Sequence, residues 1–152
     1  MRVALAALLA MPFLMQGALK LKPLTEEEKR LLNASGTPKV AGVHRPLPAD
    51  ALKKGKWKKD ASGQQVWSLE IESPGAKSLR VEFASFQAGD GKARVCEDDG
   101  KRCYGPYTAQ TLMDNGSFWS DVVEGDTIVV EFTAAKKTDV PPFRLARISH
   151  MK

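Results

Sequence analysis

Seven consecutive residues, Lys53-Lys54-Gly55-Lys56-Trp57-Lys58-Lys59, gather five ammonium groups around one indole. That set suits a ligand with acidic groups and a flat face, the ring stacking on a sugar or base while the lysines hold anions. On a strand, alternation turns Trp57 inward as a core anchor and leaves Lys56 and Lys58 solvated on the outer face. We expect that arrangement, with Lys53, Lys54, Lys56, Lys58 and Lys59 as a salt-sensitive patch for an anionic partner. Lys136-Lys137 either extends the patch or sits in a loop.

Hydrolytic chemistry has fewer resources. A Ser-His-Asp site needs nucleophile, base and orienting acid in one place, and the chain has two histidines. His44 stands beside Arg45 and Pro46 in an expected first strand, and His150 lies at an expected frayed end. Both read as ordinary surface or strand residues. Ser117 follows Asn115-Gly116 without the glycine spacing of a nucleophile elbow. We expect no catalytic residues and no enzyme. Asp98, Asp99, Asp114, Asn115 and Asp126 supply oxygen ligands that calcium uses, but no D-x-D-x-D-G loop with a closing glutamate gathers them. Turns need the same residue types. We expect no cofactor, with calcium the one alternative these side chains leave open.

Cys96 and Cys103 flank Glu97-Asp98-Asp99-Gly100-Lys101-Arg102. Asp99-Gly100 predicts the tip of a two-residue type I′ hairpin, whose central residues both take positive φ. Residue 96 then opposes 103, the sulfurs meet across the ladder, and Glu97 faces Arg102. In an oxidising compartment such a pair closes as a disulfide. Zinc held by two free thiols lacks partners, because neither histidine stands at a zinc-ligand spacing.

The elements that must position these groups are short strands. Trp67, Leu69 and Ile71 alternate with Ser68, Glu70 and Glu72, and Leu79, Val81 and Phe83 repeat the pattern after Ser73-Pro74-Gly75. Ser117 to Val123, then Thr127 to Phe132 with Ile128, Val130 and Phe132 on one face, then Phe143 to Ile148 complete the set. Period-two strands between turn signals predict an all-β fold, a β-sandwich of jelly-roll type. One short N-terminal helix precedes it: Thr25 and Glu28 form a capping box, and Gly36 with Pro38 ends the helix. Phe118 and Trp119 are neighbours and must point to opposite faces, one to the core and one outward. Tyr104 and Tyr107 join them as candidates for a contact surface.

Met1-Arg2, an apolar run from Val3 to Met15, and small or polar residues at 16–18 have the layout of a secretory signal peptide cleaved near Gly17 or Ala18. The run is short for a bilayer span of roughly 20 residues. We expect a signal peptide over 1–17, a short helical lead-in over 18–38 and a β-sandwich over 39–152, in a secreted or periplasmic protein. The formal charge of +5 favours acidic surfaces without singling out nucleic acid.

Several phrases resemble one family in order: VAGVHRPLP (40–48), VWSLEIESPGAKSLRVEF (66–83), YGPYT (104–108), FWSDVVEGDTIVVEF (118–132) and LARISH (145–150). They are similar to the N-terminal domain of lysyl-endopeptidase-like secreted serine proteases. In those proteases a non-catalytic β domain precedes a trypsin-like domain, and the triad segments of that second domain find no counterpart in these 152 residues. The resemblance implies a non-catalytic recognition module for an envelope polysaccharide or a protein. The alternatives are a trans-acting inhibitor or folding partner of a secreted protease, and a remnant of a truncated protease gene.

Overall fold

A computed structural model describes residues 17–34, 42–111 and 116–152. The expected signal segment up to residue 16, the 38/39 boundary, Asp114 and Asn115 lie outside the described residues. The strands are β1 (Gly17–Lys20), β2 (Gly42–Pro46), β3 (Lys56–Lys59), β4 (Gln65–Glu72), β5 (Ser78–Ala84) and β6 (Lys92–Glu97). They continue with β7 (Cys103–Tyr107), β8 (Phe118–Trp119), β9 (Val123–Glu124), β10 (Thr127–Ala134) and β11 (Arg144–Met151). Helix α1 spans Glu26–Leu32, and a 3-10 turn covers Ala51–Lys54.

Two sheets face each other. Sheet A runs β1-β4-β10-β6-β7, with β3 on the same strand, β4; sheet B runs β2-β11-β5-β8, with β9 also on β5. The pairs nest: β2 with β11, β4 with β10, β5 with β8 and β9, β6 with β7. A long hairpin rolled up in this way is a jelly roll, as the strand spacing predicted.

The core lies between the sheets because alternation points one face of each inward. Trp67, Leu69, Ile71, Ile128, Val130 and Phe132 from sheet A meet Leu79, Val81, Phe83 and Ile148 from sheet B, all buried. In β11 the register shifts between Leu145 and Arg147. Ala146 is the extra residue of this bulge, so Leu145 and Ile148 both reach the core although three positions apart. The expected strand from Ser117 to Val123 is broken into β8 and β9. Between them the Ser120 hydroxyl accepts from the Val81 amide at 3.0 Å, substituting for a ladder bond.

The capping box at α1 forms: Thr25 Oγ1 accepts from the Glu28 amide at 3.0 Å, and Glu28 Oε1 accepts from the Thr25 amide at 2.9 Å. A strand before this helix was not expected. Residues 17–20 pair in parallel with Leu69–Glu72, so the lead-in is part of sheet A. A side chain at Gly17 would run into the Lys54 carbonyl, which explains glycine there.

Cys96 and Cys103 form the expected disulfide on partnered residues of β6 and β7. The turn differs from expectation. The Gly100 amide donates to the Glu97 carbonyl at 2.9 Å, so Asp98 and Asp99 are central and Gly100, at φ +73°, takes the left-handed position after them. Asp99 keeps negative φ, and its carboxylate instead accepts from the Lys101 amide at 2.8 Å. The register survives because the Glu97 amide still donates to the Arg102 carbonyl. Closing so short a loop removes about 2 kcal/mol of unfolded-chain freedom. Reduction of the oxidised protein is therefore expected to lower its melting temperature by several degrees, and an unchanged transition would remove any stabilising role for the bond.

Candidate functional site

The chemistry available on this scaffold divides into an enclosed polar cluster and two outer sheet faces. The enclosed cluster contains the serine–histidine contact Ser73 Oγ to His150 Nδ1, 2.7 Å. His150 is not frayed: it sits in β11, 2% exposed, on the inward side with Ile148. Ser73 is fully buried, and its hydroxyl also accepts from Arg45 Nη1 at 2.9 Å. Burial, then the Arg45 charge, push the His150 pKa below its ordinary value, while Glu28 opposes them. A serine hydroxyl shared with a guanidinium and sealed from solvent has no route to a substrate. The cluster is instead a fastener. Arg45 Nε donates to Glu28 Oε2 at 3.1 Å and Nη2 to the Lys22 carbonyl at 2.8 Å, tying the β1–α1 arm to the sandwich.

The outer face of sheet A carries a groove of about 640 Å³. Register builds its floor in rows. Lys58, Val66, Thr133 and Lys92 are successive partners across β3, β4, β10 and β6, and from the next row only Glu131 and Arg94 reach the groove. Arg94 Nε donates to Glu131 Oε1 at 2.6 Å. Tyr104 of β7 walls one side, partly packed against the core, with Gly105 and Pro106 beside it. Asp60 lies at the opposite end. Its carboxylate is held below the usual range chiefly by the Ser62 hydroxyl, which closes the turn between β3 and β4.

The structure splits the lysine cluster. Lys58 lines the groove, where Lys92 and Arg94 from β6 join it. Lys53 and Lys54 end the 3-10 turn, Lys56 and Lys59 lie exposed on β3, and none of these four lines the groove. Lys136 and Lys137 are exposed in the loop after β10. Trp57 faces inward as alternation predicted, half-buried, opposite Trp67 and edge-on to Phe132 with centroids 6.5 Å apart. Sequence reasoning did not single out Lys92 and Arg94. Their signal was present in the alternation Lys92-Ala93-Arg94-Val95, two cations on the outer phase of a strand.

The neighbours Phe118 and Trp119 are now assigned. Phe118 stacks on Phe83 in the core, centroids 4.9 Å apart, and Trp119 lies on the outer face of sheet B beside His44, Arg80 and Arg147. Tyr107 is buried, and burial followed by the Asp121 carboxylate, 2.6 Å from its hydroxyl, pushes the phenol well above its ordinary pKa. Among the described residues no three acidic, histidine or cysteine side chains converge to hold a metal ion. Asp98, Asp99 and Asp126 do share one shallow depression with Glu97 and Glu124. No helix among the described residues is long and apolar enough to cross a membrane.

A search of curated proteins returns no match. Among solved structures, the isomalto-dextranase of Arthrobacter globiformis T6 complexed with panose aligns over 72% of this chain at 11% identity and a TM-score of 0.28. The chain spans 23% of that protein's length. The family model described as the lysyl endopeptidase N-terminal domain matches residues 15–152. With that match running through both sheets and the β1–α1 arm, the chain belongs to the lysyl endopeptidase N-terminal domain family.

Proposed function

We propose that this protein is an exported, non-catalytic recognition module whose ligand is an envelope polysaccharide, bound in the groove on the outer face of sheet A. The observation that carries this reading is the chemical mixture in the groove. Sugar hydroxyls need donors and acceptors together, with an aromatic or aliphatic face for their C–H surfaces. Lys58, Lys92 and Arg94 donate, Glu131 and Thr133 accept, and Tyr104 with Val66 supplies apolar surface. Export rests on the apolar segment before residue 16 and on the disulfide, which persists in an oxidising compartment.

Affinity electrophoresis against acidic and neutral polysaccharides tests the groove. Tyr104→Leu is expected to weaken binding about tenfold, equivalent to ~1.4 kcal/mol. The double variant Lys58→Gln, Lys92→Gln is expected to flatten the salt dependence of binding to an acidic polymer. Unaltered mobility in both variants would remove the groove from consideration.

Family membership favours a second reading, association in trans with a secreted serine protease as inhibitor or folding partner. Stoichiometric loss of lysyl-specific peptidase activity on adding the domain would support it, and a protease indifferent to a large molar excess would reject it.

A further inference from the structure

The outer face of sheet B carries a cation–aromatic cluster that neither the core nor the groove uses. His44, Ser149 and Arg80 are register partners across β2, β11 and β5. Pro46, Arg147, Glu82 and Trp119 form the adjacent row, extending to β8. The Trp119 ring gathers the cations. The guanidinium carbons of Arg80 and Arg147 lie 4.6 and 5.3 Å from its centroid, and the His44 ring lies at 4.8 Å.

The charges on this face do not balance. Glu82 is committed to Arg147, with contacts of 2.8 Å from Nε and 3.3 Å from Nη2. Arg147 Nη1 also donates to His44 Nδ1 at 3.2 Å, so that acceptor is occupied too. Burial, then Arg147 and Arg80, depress the His44 pKa and favour the neutral ring that this contact requires. Arg80 is left over. Among the described residues no carboxylate pairs with it, and its Nε is buried without a hydrogen-bond partner. Arg102 and Arg144 also lack a carboxylate among the described residues but are exposed to water, whereas Arg80 is half-buried without a counter-charge. Arg144, exposed on the same strand as Arg147, adds further positive charge.

We propose that this face docks an acidic segment of a partner protein, with a carboxylate pairing to Arg80 and Trp119 as the anchor. Guanidinium nitrogens match a carboxylate as a fork, and tryptophan and arginine are the side chains that most often dominate protein–protein contacts. A sugar fits less well. Its hydroxyls need free acceptors, and the Glu82 carboxylate and His44 Nδ1 are both taken. Val122, 45% exposed in the segment between β8 and β9, offers an apolar side chain three residues beyond Trp119. The two sheets turn their outer faces in opposite directions, so this surface is available whether or not the groove is filled.

Titration of nitrogen-15-labelled protein with poly-L-glutamate, and separately with polygalacturonate at equal carboxylate concentration, tests the proposal. Poly-L-glutamate is expected to shift the Trp119 indole and Arg80 Nε resonances. Arg80→Gln is expected to weaken that binding about tenfold, the scale of one charge-assisted hydrogen bond. Trp119→Leu, checked for a native amide spectrum, is expected to weaken it as well. Tighter binding of polygalacturonate at these residues would overturn the protein assignment. Shifts confined to Lys58 and Lys92, or wild-type affinity in Arg80→Gln, would overturn the site itself and leave the groove reading standing.

Discussion

Replacing Arg45 with methionine is expected to cost about 3 kcal/mol of folding stability, the low end for removing one partner of a buried ion pair, because Glu28 keeps 22% of its side chain exposed. Methionine keeps much of the aliphatic stem but leaves three acceptors behind: the Glu28 carboxylate, the Ser73 hydroxyl and the Lys22 carbonyl. Arg45 is 7% exposed, so water does not simply replace it. Glu28→Gln is expected to cost less, about 1–2 kcal/mol, because its one amide oxygen keeps either the Arg45 or the Thr25 contact while Arg45 retains Ser73 and the Lys22 carbonyl. Urea unfolding of the two variants beside the parent measures both, and an Arg45→Met loss no larger than that of Glu28→Gln would refute the fastener.

The same cluster predicts an acid response. His150 has its folded pKa lowered from 6.5, so the unfolded chain takes up the proton more readily. The stability tied to neutral His150 is complete above about pH 6.5 and declines as the pH falls through that value. Glu28 acts in the same direction at lower pH. Burial raises its pKa, but hydrogen bonds from Thr25 and Arg45 outweigh burial and bring it below 4.5. Its contribution is present above that value and is lost as the pH falls through the folded pKa. His150→Gln is therefore expected to remove the upper part of the decline in a pH series of unfolding free energies.

Phe83→Ala is expected to be comparably damaging, at about 3–5 kcal/mol. Phe83 is fully buried and is the hub of an aromatic cluster. It stacks on Phe118 and meets Phe143, Phe86 and Tyr107 with centroids 5.1, 5.7 and 5.7 Å away. The cluster joins β5 to β7, β8 and the segments preceding β6 and β11, so truncation opens a cavity between the sheets that several rigid rings cannot fill. Phe83→Leu keeps much of the volume and is expected to cost roughly 1–2 kcal/mol. Thermal unfolding of both variants separates the effects, and an alanine variant no worse than the leucine variant would contradict the role of the hub.

Much of the scaffold was legible because it depends on local period. The inward faces of β4, β5 and β10 follow from alternation alone, and so did the inward turn of Trp57. The Cys96–Cys103 register was read from a short hairpin, and it held even though the turn itself did not. A type I′ turn needs positive φ at Asp99, whereas the observed loop leaves that conformation to Gly100, where no Cβ resists it. The β1 strand escaped notice because it is four residues long, adjoins an apolar run, and gains its partner from β4 some fifty positions along the chain. His150 was misread as frayed because its burial comes from Ser73 and Arg45, neither of which is near it in sequence.

The two proposed binding surfaces divide along the same line. Residue order was enough for the β-sandwich, the capped helix, the disulfide and the lysines of β3, since each rests on spacing within one strand, turn or hairpin. It was enough to require that Phe118 and Trp119 point apart, but alternation is symmetric and does not say which faces the core. Pairing with β5 settled that, and so left Trp119 outside among Arg80, Arg147 and His44. The groove likewise needed Lys58 brought into one row with Lys92 by two intervening strands. Local period chooses a face for each strand; only long-range pairing decides which faces become neighbours, and a binding surface is made of neighbours.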